Sequence, residues 1–284
     1  MDKKIIDDIV WWIPIKKLRN NIRYCYNDII DKQNMIFNDI DNLKNKISSI
    51  EKAFTKNIIH QTVMDNINFS FYDLLLSKTI EIVTSEIDTY NFDTINFENG
   101  DIVIDIGGNI GMISIFLAKK YPFLKIFSFE PVKQNYDNFL MNIKLNNIPD
   151  GIITVENVAI TSDRRNISLY IPPVNTAASN IFDRYSNVSD FVESNIESIT
   201  LDDIFEKYNI EKCKLLKIDC EGSEYEILYN TNINNLIKCS HMRAEFHGTE
   251  DIQKKLYMYL KNYIRNIEYQ SNNDQFYFDK ELNK

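Results

Sequence analysis

Residues 100–131 read GDIVIDIGGNIGMISIFLAKKYPFLKIFSFEP. The apolar run Ile102 to Ile106 carries Asp105 near its end and leads into Gly107, Gly108, Asn109 and Gly111. Ile110, Ile113, Phe116 and Leu117 then follow at helical spacing, and a second apolar run, Ile126 to Phe129, ends on Glu130. Strand, glycine turn, helix and strand make a βαβ unit. Ligands in such sheets bind outside the strand carboxyl ends, so Asp105, the turn and Glu130 mark one ligand site.

The turn chemistry narrows the ligand. A pyrophosphate turn uses G-x-G-x-x-G and backbone N–H groups with no anion nearby, whereas here Asn109 replaces a glycine and Asp105 brings a carboxylate. A ligand with a cationic centre near Asp105 and a ribose diol near Glu130 fits better. S-adenosylmethionine (SAM) has both. The bland alternative is an ordinary βα turn followed by a surface glutamate.

Working outward, composition limits the partners. The 284 residues suffice for one sizeable α/β domain with an extension, and a formal charge of −9 argues against a general hold on nucleic acid. Cys25, Cys213, Cys220 and Cys239 show no C-x-x-C pairing, so the chain is expected in a reducing cytoplasmic setting. The opening MDKKIIDDIVWWIP is interrupted by Asp7 and Asp8 and is too short for a membrane span or signal core. A soluble protein is expected.

From Ile15 to Phe54 there is no proline or glycine. Apolar residues recur at Ile15, Leu18, Ile22, Cys25 and Ile29, then at Ile36, Ile40, Leu43, Ile47, Ile50 and Phe54, with a phase slip near Gln33 that resembles a stutter. Residues 1–60 are therefore a helical extension. It is either a coiled coil that joins copies of the chain or two or three shorter helices packed on the domain. Residues 61–99 read as linker and lead-in elements, and residues 100–284 as the main domain. Beyond the opening βαβ unit the spacing predicts a helix over 132–145, a third strand over 152–160 and an edge strand over 166–171. A polar stretch from Val174 to Ser198 reads as a substrate loop or a plain surface insertion. The alternation then resumes with a helix over 201–208, a strand over 214–219, a helix over 222–229, a strand over 239–246 and a helix over 249–263. A closing antiparallel pair is expected from 266–269 and 275–279. Alternating strands and helices predict a doubly wound, mostly parallel α/β sheet.

Four strand tips carry polar groups: Asp105, Glu130, Asp219 with Glu221, and Glu245 with His247. The blocks DIGGNIGMISIFLAKKYPFLKIFSFEP, NVAITSD and LKIDCEGSEYEIL resemble the FkbM family of SAM-dependent methyltransferases over roughly residues 85–250. The resemblance implies a seven-stranded class I methyltransferase (Rossmann-like) sheet. It also implies methylation of a hydroxyl on a sugar, glycan or natural-product-like small-molecule acceptor, with N-methylation or a non-catalytic scaffold as alternatives. By the same resemblance Asp105, Gly107, Gly108, Asn109 and Gly111 hold the methionine part of SAM and Glu130 the ribose. Asn157, Val158 and Ala159 line the adenine, with Glu86 as a further candidate. Asp219 stands beside the methyl group, or else caps the following helix. Among the catalytic candidates, His247 is expected as general base, oriented by Glu245 or Asp219. Asp219, Glu221 and Glu245 could instead hold a divalent metal, but their spacing is not diagnostic and no metal ligand is assigned.

Overall fold

The computed structural model describes residues 16–54, 56–171, 191–247, 249–264 and 275–279. Two units divide the chain, Met1–Lys56 and Asn57–Lys284.

The first unit contains helix α1 (Lys16–Phe54), which runs unbroken for 39 residues. The shorter helices offered as an alternative are not found, because nothing in the stretch supplies a stop signal and the slip at Gln33 changes only the phase of the stripe. Ile29, Ile36, Phe37, Leu43 and Ile47 on this helix are all more than half exposed.

The second unit opens with strands β1 (Asn57–Met64) and β2 (Ile67–Leu74), an antiparallel hairpin. Its turn residues Asp65 and Asn66 both take the left-handed backbone that a two-residue hairpin turn needs. Helix α2 (Thr79–Glu86) and two 3-10 turns lead to β3 (Ile102–Ile106), α3 (Met112–Lys120), β4 (Lys125–Phe129), α4 (Lys133–Leu145) and β5 (Ile153–Glu156). Short strands β6 (Ala159–Ile160) and β9 (Ser198–Ile199) pair in parallel, and β7 (Ile167–Ile171) pairs antiparallel with β8 (Phe191–Ile196). The remainder comprises α5 (Leu201–Lys207), β10 (Cys213–Ile218), α6 (Glu224–Asn230), α7 (Ile233–Leu236), β11 (Cys239–Glu245), α8 (Glu250–Lys261) and β12 (Gln275–Asp279).

The central sheet runs β12-β11-β10-β3-β4-β5. Among the described residues it has six strands, five parallel and β12 antiparallel, rather than the seven expected. The expected third strand divides: β5 joins this sheet, while β6 leaves it to pair with β9. The end of the polar stretch also differs, since residues 191–196 form β8, whereas residues 172–190 lie outside the described residues. So do residues 266–269; residues 275–279 pair with β11.

Strand periodicity of two sends alternate residues to opposite faces. On one face Ile104, Ile106, Phe127, Phe129, Leu216, Ile218, Met242 and Ala244 pack with apolar residues of α5, α6 and α8. On the other, Val103, Ile126 and Leu215 pack with α3, with Phe139 of α4 and with Phe69 and Phe71 of the hairpin. Each fully buried side chain of this size contributes about 1.5–3 kcal/mol, so covering both faces is what makes these strands near-continuous apolar runs. The hairpin is integral to the second layer. Asn142 of α4 accepts from the Tyr72 amide (2.5 Å) and donates to the Tyr72 and Ile110 carbonyls (3.3 and 2.9 Å), and Asn146 brackets Ser70 in the same way. These amide side chains satisfy the open edge of β2 as another strand would. Residues 61–99, expected as linker and lead-in elements, thus include a wall of the domain.

Chain order reverses between β3 and β10, which are neighbours in the sheet. That switch point fixes where the site lies.

Candidate functional site

The tips of β3 and β10 come into direct contact. Gly107 has φ +78°, and a Cβ there would lie 1.8 Å from the Asp219 carbonyl oxygen. Only glycine allows that approach. Gly108 and Gly111 answer to a different constraint: a Cβ would fall 2.2 Å from Ser128 Oγ and 2.1 Å from the Phe139 ring, respectively. Neither lines the cavity described below, and both admit neighbouring side chains.

Beneath the turn lies a polar row. Register places Ser128, Asp105, Lys217 and Arg243 side by side on four adjacent strands, all facing the α3/α4 layer. Asp105 Oδ2 accepts from Ser114 Oγ (2.6 Å) and Ser128 Oγ (3.1 Å), and Asp105 Oδ1 lies 3.2 Å from Lys217 Nζ. Lys217 Nζ also donates to the Gly107 carbonyl at 2.9 Å and stands 3.6 Å from Asp219 Oδ2. Burial alone would lower the lysine pKa, but Asp105 and Asp219 outweigh it and hold the group above its ordinary range. Asp105 is 1% exposed and absent from the cavity wall. Asp105, expected near the cationic centre of the ligand, here meets Lys217, and together they fix the turn.

Above the switch point is a cavity of about 210 Å3. Of the residues singled out from the sequence, Glu86, Gly107, Asn109, Glu130, Val158, Ala159, Asp219 and Glu245 line it. Asn157 does not; its Nδ2 donates to the carbonyls of Glu130 and Pro131 at 2.9 Å each, tying the β4 and β5 tips together.

One end is built around Glu130, 4% exposed. Its carboxylate accepts from the Asn109 amide (2.8 Å), the Val132 amide (2.9 Å) and Asn135 Nδ2 (3.3 Å). Burial pushes its pKa up to about 7 against those hydrogen bonds. Asn109 holds a left-handed backbone at φ +49°, and its Oδ1 is buried without a hydrogen-bond partner. Phe129, Val158 and Ile160 supply apolar wall beside these groups.

The other end is acidic. Glu86, Asp219, Glu221 and Glu245 all line it, and burial pushes Glu221 and Glu245 up to about 7. His247 sits behind this wall without lining the cavity. Its Nδ1 lies 3.1 Å from Glu224 Oε1, and its Nε2 is 3.3 Å from Glu221 Oε2 and 3.7 Å from Glu245 Oε1. Burial alone would lower its pKa, yet the hydrogen bond to Glu224 and the charges of Glu221 and Glu224 push it up to about 10. His247, expected as the general base, thus reaches the cavity through Glu221 and Glu245, which line it.

A sequence model of the family described as Methyltransferase FkbM domain matches residues 105–271, more than half of the chain. The chain belongs to the FkbM methyltransferase family. Methyltransferase sdnD of Sordaria araneosa is 27% identical over 44% of this FkbM chain and 58% of its own length. Hexuronic acid methyltransferase AglP of Haloferax volcanii is 25% identical over 61% of this chain and 66% of its own. The FkbM chain thus spans about three fifths of the curated relatives it matches. Among solved structures, the N-terminal domain of human METTL16 in complex with SAH aligns with a TM-score of 0.41 at 13% identity. That alignment covers 77% of this chain and 71% of that one, too distant a likeness to bear on function.

Several residues of the cavity wall carry no motif in the sequence. Thr79, Ile82, Val83 and Tyr90 line the cavity from the lead-in segment, and Ile167 and Leu169 line it from β7. No motif marks them, because their contribution is shape. Glu224, fully buried and central to the His247 cluster, does close the K-I-D-C-E-G-S-E block. An acidic residue in a helix first turn reads as an ordinary dipole partner, which hides it.

Proposed function

We propose that this protein transfers a methyl group from SAM to a hydroxyl on a sugar, glycan or natural-product-like acceptor. The observation that carries the reading is the pairing of a buried Glu130 carboxylate with the partnerless Asn109 Oδ1 on one cavity wall, inside a match to a methyltransferase family. A carboxylate suits the vicinal hydroxyls of a ribose, and a buried acceptor oxygen suits an ammonium donor. Phe129, Val158 and Ile160 give an apolar surface for a purine. These residues fit SAM, which when bound supplies an electrophilic methyl group.

The chain's own residues then have distinct tasks. Glu130 and Asn109 hold the donor, Lys217 fixes the turn through Asp105 and Gly107, and the acidic end receives the acceptor. Glu245 faces the cavity, where it can take the proton from an acceptor hydroxyl. His247 positions the glutamates around it. A sugar acceptor draws support from the printed activity of the Haloferax relative, a hexuronic acid methyltransferase. The carboxylate wall also favours a second reading, N-methylation of an amine, because four acidic side chains attract a cationic acceptor and repel an anionic one.

Incubating the full-length protein with methyl-labelled SAM and separate pools of neutral glycans, amino sugars and small-molecule extracts tests both. Label in neutral glycans or hydroxylated small molecules supports O-methylation, and label confined to amino-bearing pools supports the second reading. Label in none of the pools contradicts both.

A further inference from the structure

We propose that Asp219, Glu224 and His247 form a binding site for a divalent metal ion behind the acidic wall of the cavity. One potential ligand atom from each of the three lies within 4.8 Å of the other two. Donors sharing an ion at about 2.1 Å stand no more than about 4.2 Å apart, so small side-chain rotations bring these three into one coordination sphere.

A separate observation concerns Glu224. It is 0% exposed. Its Oε1 accepts from the amides of Cys220 (3.0 Å) and Gly222 (3.1 Å), which lock the carboxylate in place, but Oε2 is buried with no hydrogen-bond partner. An unsatisfied buried oxygen on a carboxylate is costly, and a cation is the partner that would offset it. Asp219 remains able to contribute, since its ion pair with Lys217 is long at 3.6 Å and engages Oδ2 alone. Glu221 and Glu245 stand 3.3 and 3.7 Å from His247 Nε2 and would surround the ion with further negative charge. Two carboxylates and one imidazole suit Mn2+ among the divalent ions, with Mg2+ and Zn2+ as competitors.

Asp219 faces both this cluster and the cavity, so an ion here could take an acceptor oxygen as an added ligand and lower the pKa of its hydroxyl. That role rests on the methyl-transfer reading; the metal site itself does not. The competing arrangement is the imidazole alone, bridging Glu224 and Glu221 with its ring protons.

Chelator-treated full-length protein titrated with MnCl2, with free Mn2+ followed by electron paramagnetic resonance, decides between them. We expect one Mn2+ per chain, with Asp219→Asn and His247→Gln each weakening binding about tenfold or more while circular dichroism stays unchanged. Absence of stoichiometric binding, or binding of equal strength in both variants (an adventitious ion only), overturns the site. Saturable Mn2+ binding by a protein that transfers no label from SAM would uphold the site and reject the methyl-transfer reading.

Discussion

Lys217 and Asp105 set the terms of the site at the level of single residues. Their side chains are 3% and 1% exposed, and the pair holds the turn carbonyl of Gly107 as well. Removing one member of a buried pair leaves an uncompensated charge, so Lys217→Met should cost about 3–5 kcal/mol in denaturant unfolding. Adding Asp105→Asn to that variant should restore part of the loss. Glu130 makes a pH-dependent contribution. Its folded pKa, about 7, lies above the ordinary 4.5, so the protonated form is favoured on folding. The stabilisation is complete below about pH 4.5 and is lost as pH rises through 7. Calorimetric melting of the ligand-free protein should show the midpoint falling across that window, with a shallower fall in Glu130→Gln. From the sequence, Asp105 and Glu130 stood out because a carboxylate at a strand tip has few structural reasons to be there. That Asp105 is neutralised from below by Lys217 depends on strand register, which one sequence does not reveal.

Among the secondary-structure elements, the strands and helices after Gly100 were legible because their apolar periods are clean and glycines punctuate them. The β1–β2 hairpin is held by Asn142 and Asn146, and asparagines in the middle of a helix carry no pattern that announces a grip on a distant strand. Helix α1 was legible as helical, while the phase slip near Gln33 leaves its continuity over Lys16–Phe54 open in the sequence. Its exposed stripe of Ile29, Ile36, Leu43 and Ile47 is the face through which we expect copies of the chain to associate. Light scattering on the full chain should report an oligomer, and Ile36→Lys with Leu43→Lys should reduce the mass to that of a monomer. An unchanged mass would remove this role for α1.

For the molecule as a whole, the site follows from topology. The reversal between β3 and β10 opens one crevice, into which the glycine turn, Glu130, Asp219 and Glu245 all project from separate stretches of chain. Paired blocks, D-I-G-G-N-I-G with K-I-D-C-E-G-S-E, made that convergence visible in the sequence. The walls from α2 and β7 were not visible, since apolar lining residues look like any core. No helix among the described residues is long and apolar enough to cross a membrane. Isothermal titration of the full-length protein with SAM, and separately with NAD, tests the central claim most directly. Charge-assisted hydrogen bonds contribute about 1.5–3 kcal/mol, so one SAM should bind per chain, more tightly than NAD, and Glu130→Ala should weaken it about 10- to 100-fold. Tighter binding of NAD, or SAM binding unchanged by Glu130→Ala, would contradict the account.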